Sequence, residues 1–111
     1  MDFRDLRGNA RRASRLLKSM SNVHRLMILC ELAAGESSVG ELQQTVRLGQ
    51  SALSQHLARL RRERLVKTRR EAQTIYYSLA SSDPAAVMKT LYGLYCAPRR
   101  KPRKAARRPR K

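Results

Sequence analysis

Tryptophan is absent from the 111-residue chain, phenylalanine occurs once, and there are only two cysteines and eight acidic residues. Two cysteines cannot build the disulfide framework of a small secreted domain, and in a reducing compartment they are expected to rest as thiols. No apolar run is long enough to span a bilayer, and no charged-then-apolar leader ends in a small-residue cleavage site. This predicts a cytoplasmic protein with no membrane partner. A phosphate-binding glycine loop and a metal-ligand constellation are both missing. His24 and Cys30, six apart on a helical stretch, do not face each other. These gaps argue against an enzyme and against a bound metal or cofactor.

What the chain has in excess is positive charge. Twenty-five Lys and Arg against eight Asp and Glu leave a net charge of +17, more than solubility requires, and this points to a polyanionic partner. Nine of the basic residues fall in residues 97–111 with no acid among them, so the remainder is still basic by +8. Pro98, Pro102 and Pro109 interrupt that stretch and no large apolar side chain offsets the entropy of ordering it, so residues 97–111 read as a disordered basic tail. With residues 1–8 taken as an N-terminal arm, one small domain is left over residues 9–96. A core this small favours burial against a second copy.

Periodicity divides that domain into elements. Ala13, Leu16, Leu17 and Met20 recur at helical spacing over residues 9–20, with arginines on the other side. Ser21 or Asn22 then caps a second helix over residues 22–34, apolar around most of its circumference and therefore expected at the centre of the core, ending at Gly35. Ser38 followed by Glu41 is a capping-box spacing that opens a short third helix. Gly49 ends a tight connection before a fourth helix beginning near Ser51, which is a helix-turn-helix layout. Residues 65–69 and 74–79 are β-rich runs joined by residues 70–73, the pattern of a hairpin wing. Asp83 and Pro84 open a last helix over residues 84–96, in which Val87, Met88, Leu91, Tyr92, Leu94 and Tyr95 cover more than one face. That excess of apolar surface is assigned to a dimer interface shared with the first helix. The fold expected is mainly α with a β-hairpin wing, a winged helix-turn-helix of order α-α-α-α-β-β-α.

The fourth helix carries the most specific signal. Leu53, Leu57 and Leu60 share one face and anchor it, while small hydroxyls and amides stand off that face, close enough to hydrogen-bond base edges. Ser51, Ser54, Gln55 and His56 form the candidate groove-facing set, Arg59 is aimed at phosphate, and Arg69, Arg70 and Gln73 are the candidate wing contacts. His56 as a structural histidine, or Arg59 and Arg62 as solvated charges, are equally open readings. A non-specific DNA-packing protein is a different class of function, and an ordered base-reading helix argues against it.

The element order, with HRLMIL, VGEL, SALSQHLARLR, LVKTRRE and TIYYSL, resembles the ArsR/SmtB family of winged-helix repressors over residues 10–96. RLMILCEL, QSALSQHLARLR and TRREAQTIYYSL are most similar to its sulfide- and persulfide-responsive subgroup. The resemblance implies a homodimeric repressor on a pseudo-palindromic duplex operator, released by a signal. Metal-sensing members carry Cys-Val-Cys on the third helix, where this chain has Ser38-Val39-Gly40. Residues 84–96 also lack the Asp and His ligands that other members place there, so metal sensing is not expected. Close relatives carry glycine where this chain has Ala72, which implies a longer wing turn or mild strain.

Taken singly, Cys30 and Cys96 read as small hydrophobes as readily as reactive groups. The resemblance places the subgroup's two sensing thiols at these positions, and so implies that reactive sulfur species link Cys30 to Cys96 and lower operator affinity. A redox regulator answering peroxide or electrophiles is the nearest alternative.

Overall fold

A computed structural model describes residues 1–96. The expected disordered tail over residues 97–111 lies outside the described residues. The first helix, α1 (Phe3–Met20), starts six residues earlier than periodicity predicted, because Asp2 accepts a hydrogen bond from the Arg4 backbone N–H at 2.8 Å and caps it. The expected arm over residues 1–8 is therefore mostly helix, and Gly8 lies within it. Asn22 rather than Ser21 caps α2 (Val23–Ala34), its Oδ1 accepting from the backbone N–H groups of His24 and Arg25 at 2.9 and 3.1 Å. Gly35 ends α2 at φ 153°, a conformation open to glycine and rare for other residues.

Ser37–Ser38 form a short strand, β1, that alternation could not reveal at two residues. Ser38 also caps α3 (Val39–Val46) in the expected capping box: its Oγ accepts from Glu41 N at 3.1 Å, and Glu41 Oε1 accepts from Ser38 N at 2.8 Å. Arg47, in the left-handed region at φ 61°, turns the chain towards α4 (Gln50–Arg62), whose N-cap is Gly49. Strands β2 (Val66–Glu71) and β3 (Thr74–Leu79) pair antiparallel from Val66–Leu79 to Glu71–Thr74, and β1 adds to the other side of β3 through Ser37–Tyr77 and Ser38–Tyr76. The hairpin is a three-stranded sheet of order β1-β3-β2. Its turn is only Ala72-Gln73, and Ala72 sits at φ 56°, so of the two expected outcomes the short, strained turn holds. The last helix, α5 (Ser82–Tyr95), has Ser81 at its N-cap position without a capping side-chain hydrogen bond, which places Asp83 and Pro84 inside its first turn instead of at its start.

Ile28, Leu29 and Leu32 of α2, Leu42 of α3, and Leu53, Leu57 and Leu60 of α4 form the centre of the core with Met20, Leu65 and Val66. Each such side chain contributes roughly 1.5–3 kcal/mol on burial, enough for this cluster to set the angle between α3 and α4. The second helix is central to the core as expected, yet one of its apolar faces stays open. Val23, Met27, Cys30 and Ala34, spaced at four, three and four residues, form an exposed row along it.

Candidate nucleic-acid interface and thiol pair

Burial of Leu53, Leu57 and Leu60 fixes which side of α4 faces out. Opposite them Ser51, Gln55, Ala58 and Arg62 recur at four-, three- and four-residue steps as one exposed row, with exposed Ser54 beside it. Small polar groups that leave the helix backbone near the surface are what a major-groove helix presents to base edges.

His56 is placed differently from its expected companions. Its ring is half-buried, with its centroid 5.8 Å from that of His24 on α2. Burial first, then the charges of Arg25, His24 and Arg59, hold its pKa below the ordinary imidazole value. Arg59 also turns inwards, its Nε 3.4 Å from Glu63 Oε2. The other oxygen of Glu63 accepts from the Ser19 hydroxyl at the end of α1. Arg25, only 7% exposed, donates from Nε to the Ser19 carbonyl at 2.5 Å. These four side chains form a polar node joining the end of α1, the start of α2 and the end of α4. Sequence patterning missed it, because Glu63 lies 44 residues from Ser19 and each of these polar side chains reads alone as surface.

In the wing, Arg70 and Gln73 are exposed. Arg69 is exposed too, but every nitrogen of its guanidinium is engaged within the protomer. Nε and Nη2 donate to the two oxygens of Glu36 at 2.8 Å each, and Nη1 donates to Glu71 at 2.7 Å. The group also lies 4.6 Å from the ring centroid of Tyr76. These bonds raise the Arg69 pKa, and the Arg69 hydrogen bond is the main reason the Glu36 carboxyl lies below its usual value. Arg69 thus fastens the wing to the loop after α2, a role that the sequence reading did not foresee.

Cys30 lies on the exposed row of α2, and Cys96 forms the C-cap of α5; both are exposed. Helices α2 and α5 pack directly against each other. Around this pair Val23, Met27, Tyr92, Leu94 and Tyr95 are left between 49% and 72% exposed, an apolar face too large for one protomer to leave open to water. No group of three or more His, Cys, Asp or Glu residues able to hold a metal ion occurs among the described residues.

A core-anchored recognition helix, a preceding capped helix and a β-hairpin with basic side chains define a winged helix-turn-helix DNA-binding module. Residues 22–68 match the model of bacterial regulatory proteins of the arsR family. The chain is 51% identical over 96 residues to the transcriptional activator HlyU of Vibrio cholerae, covering 86% of this chain and 89% of that protein. A solved structure of reduced HlyU from the same species superposes with a TM-score of 0.78 at 51% identity, over 85% of this chain and 99% of that one. The transcriptional repressor BigR from Xylella fastidiosa superposes at 0.84 with 41% identity, over 87% and 99%. A homodimeric winged helix-turn-helix DNA-binding domain from Mycobacterium bovis does so at 0.70 with 28% identity, over 85% and 86%. The chain belongs to the ArsR family of DNA-binding transcriptional regulators and is not an enzyme.

Proposed function

We propose that this protein is a homodimeric repressor that reads a pseudo-palindromic operator and releases it when reactive sulfur links Cys30 to Cys96. One observation carries the reading: two exposed thiols stand on two helices that pack together beside a large exposed apolar face. A covalent link there acts on the surface through which two copies would pair. Homodimerisation is supported by the Mycobacterium bovis domain, repression by the name of the Xylella relative, and the relevance of thiol state by the Vibrio relative, whose solved structure is described as reduced.

The chemistry balances without a cofactor. One thiolate attacks the terminal sulfur of a persulfide RSSH, forming a protein persulfide and releasing RSH. The second thiolate then attacks the inner sulfur, forming the disulfide and releasing hydrogen sulfide. A second equivalent of persulfide adds one sulfur to the bridge and releases a second thiol. A direct disulfide requires Cα atoms about 4.4–6.8 Å apart, and each added sulfur relaxes that limit. Peroxide closes only the direct bridge, yielding water.

On duplex, Ser51, Ser54 and Gln55 contact base edges, with His56 at the margin of that surface. Arg59, Arg69, Arg70 and Gln73 lie along the phosphates, Arg59 and Arg69 mainly as supports held by Glu63 and Glu36. A dimer holds two recognition helices about 34–36 Å apart, and the bridge shifts that spacing. The test is operator affinity of reduced, persulfide-treated and peroxide-treated protein, with intact mass read in parallel. Wild type should lose affinity as a Cys30–Cys96 link appears, either a direct disulfide or a bridge with extra sulfur, while Cys30→Ser and Cys96→Ser hold their operator. Equal release of all three proteins by persulfide rules the mechanism out.

A further inference from the structure

A cleft of about 930 Å³ opens between the C-terminal half of α1, the end of α4 and the start of α5. Arg12, Arg15 and Lys18 line it from α1, and Arg59, Arg62 and Arg64 from α4 and the residues after it, against only Glu63 and Asp83. Of these six cations only Arg59 has an ion-pair partner among the described residues, and that partner is Glu63. Six positive charges against two carboxylates leave the cleft with a net excess of four, and a phosphate relieves the repulsion among them. The first turn of α5 also borders the cleft, where the charge of Asp83 offsets the partial positive charge of the helix end and leaves the basic side chains to set the sign of the site.

The place of Arg62 indicates which phosphate. It ends the exposed row that begins at Ser51, eleven residues and about 16 Å away along the helix axis. The major groove is only about 12 Å wide, so a helix whose first turns meet base edges carries its last turn to the sugar-phosphate rim. The basic cleft is thus continuous with the base-reading face of α4 and begins where the duplex backbone passes.

We infer that this cleft is a phosphate site that seats the operator backbone, with Arg12 and Arg15 of α1 as its gripping residues and Arg62 as its link to the recognition helix. The inference rests on the DNA-binding reading and extends it to α1. Duplex then touches the dimerisation helix directly, so a displacement of α1 is felt by bound DNA without passing through the core.

The test uses the full chain and titrates salt. Each lost phosphate contact lowers the slope of log affinity against log salt by about 0.9. The Arg12→Ala/Arg15→Ala double variant, verified as dimeric and folded by sedimentation and circular dichroism, should flatten the slope by roughly 1–2 and weaken operator and scrambled duplex by the same factor. Arg62→Ala should flatten it by about 1. Wild-type slopes in both variants overturn the inference. So does saturable binding of pyrophosphate alone that leaves operator affinity unchanged, which would give the cleft to a small phosphorylated ligand. Failure of the DNA-binding reading looks different, since wild type would then bind no duplex at all.

Discussion

At the scale of single residues, His56 couples the recognition helix to pH. Its folded pKa is lowered by burial and by Arg25, His24 and Arg59, so between that value and the ordinary imidazole value near 6.5 the unfolded chain binds more protons than the folded one. Stability rises with pH through this window and falls as pH drops from about 6.5 towards the folded pKa. Urea denaturation of wild type at pH 7.5 and 5.5 should show a lower midpoint in acid, and His56→Gln should shrink the difference; an unchanged difference would remove His56 as its source. Gln55 makes no such internal contact and its exposed amide faces the groove side of α4. Gln55→Ala should therefore leave the thermal midpoint in place while relaxing base preference at one operator position by about 1–3 kcal/mol, read by competition among operator variants. Both positions were visible in the sequence as members of one short helix. What separates them is a difference of one residue, about 100° around the axis, which turns one side chain outwards and the other onto α2.

Among the elements, the wing shows where patterning succeeds and where it stops. The alternation in TIYYSL and the capping pair Ser38 and Glu41 were legible because each signal is local and periodic. Strand β1 was not, since two residues carry no period, and neither was the clamp of Arg69 on Glu36, which joins residues 33 apart. The start of α1 was obscured because Gly8 interrupts the stretch and charges alternate through residues 2–7, although Asp2 is a readable cap and Phe3 and Leu6 keep helical spacing with Ala10. The turn makes a quantitative prediction. Ala72 at φ 56° carries a left-handed conformation that costs a non-glycine residue about 1–2 kcal/mol, part of which glycine returns as unfolded-chain entropy. Ala72→Gly is expected to stabilise the fold by roughly 0.5–1 kcal/mol, visible as a higher thermal midpoint. A lower midpoint would mean that the backbone here is not strained.

For the whole molecule, the exposed apolar surface is the feature that a single protomer leaves unexplained. Phe3, Leu6 and Leu17 of α1 are 51% to 73% exposed, and the end of α5 adds Tyr92, Leu94 and Tyr95. Phe3, Leu6, Ala10, Ala13 and Leu17 follow one another at three- and four-residue steps, so α1 carries a continuous apolar stripe along most of its length. Its first half has no core to pack on within the described residues, and in the proposed homodimer a second copy of the same helix would supply one under twofold symmetry. The apolar excess was already readable from the sequence, whereas its distribution was not: the row of Val23, Met27 and Cys30 is exposed on α2, the helix that packs against α5, and sets the Cys30 thiol beside the apolar surface proposed for pairing. Leu6→Glu combined with Leu17→Glu introduces two charges per protomer into that stripe without touching the buried core. Sedimentation should then report a folded monomer. Because two linked half-sites bind roughly 10²- to 10⁴-fold more tightly than one, operator affinity should fall by a comparable factor while the base preference of each half-site persists. A variant that stays dimeric would place the pairing surface elsewhere, and a monomer that keeps full operator affinity would separate DNA binding from the twofold arrangement that the proposed release by sulfur requires.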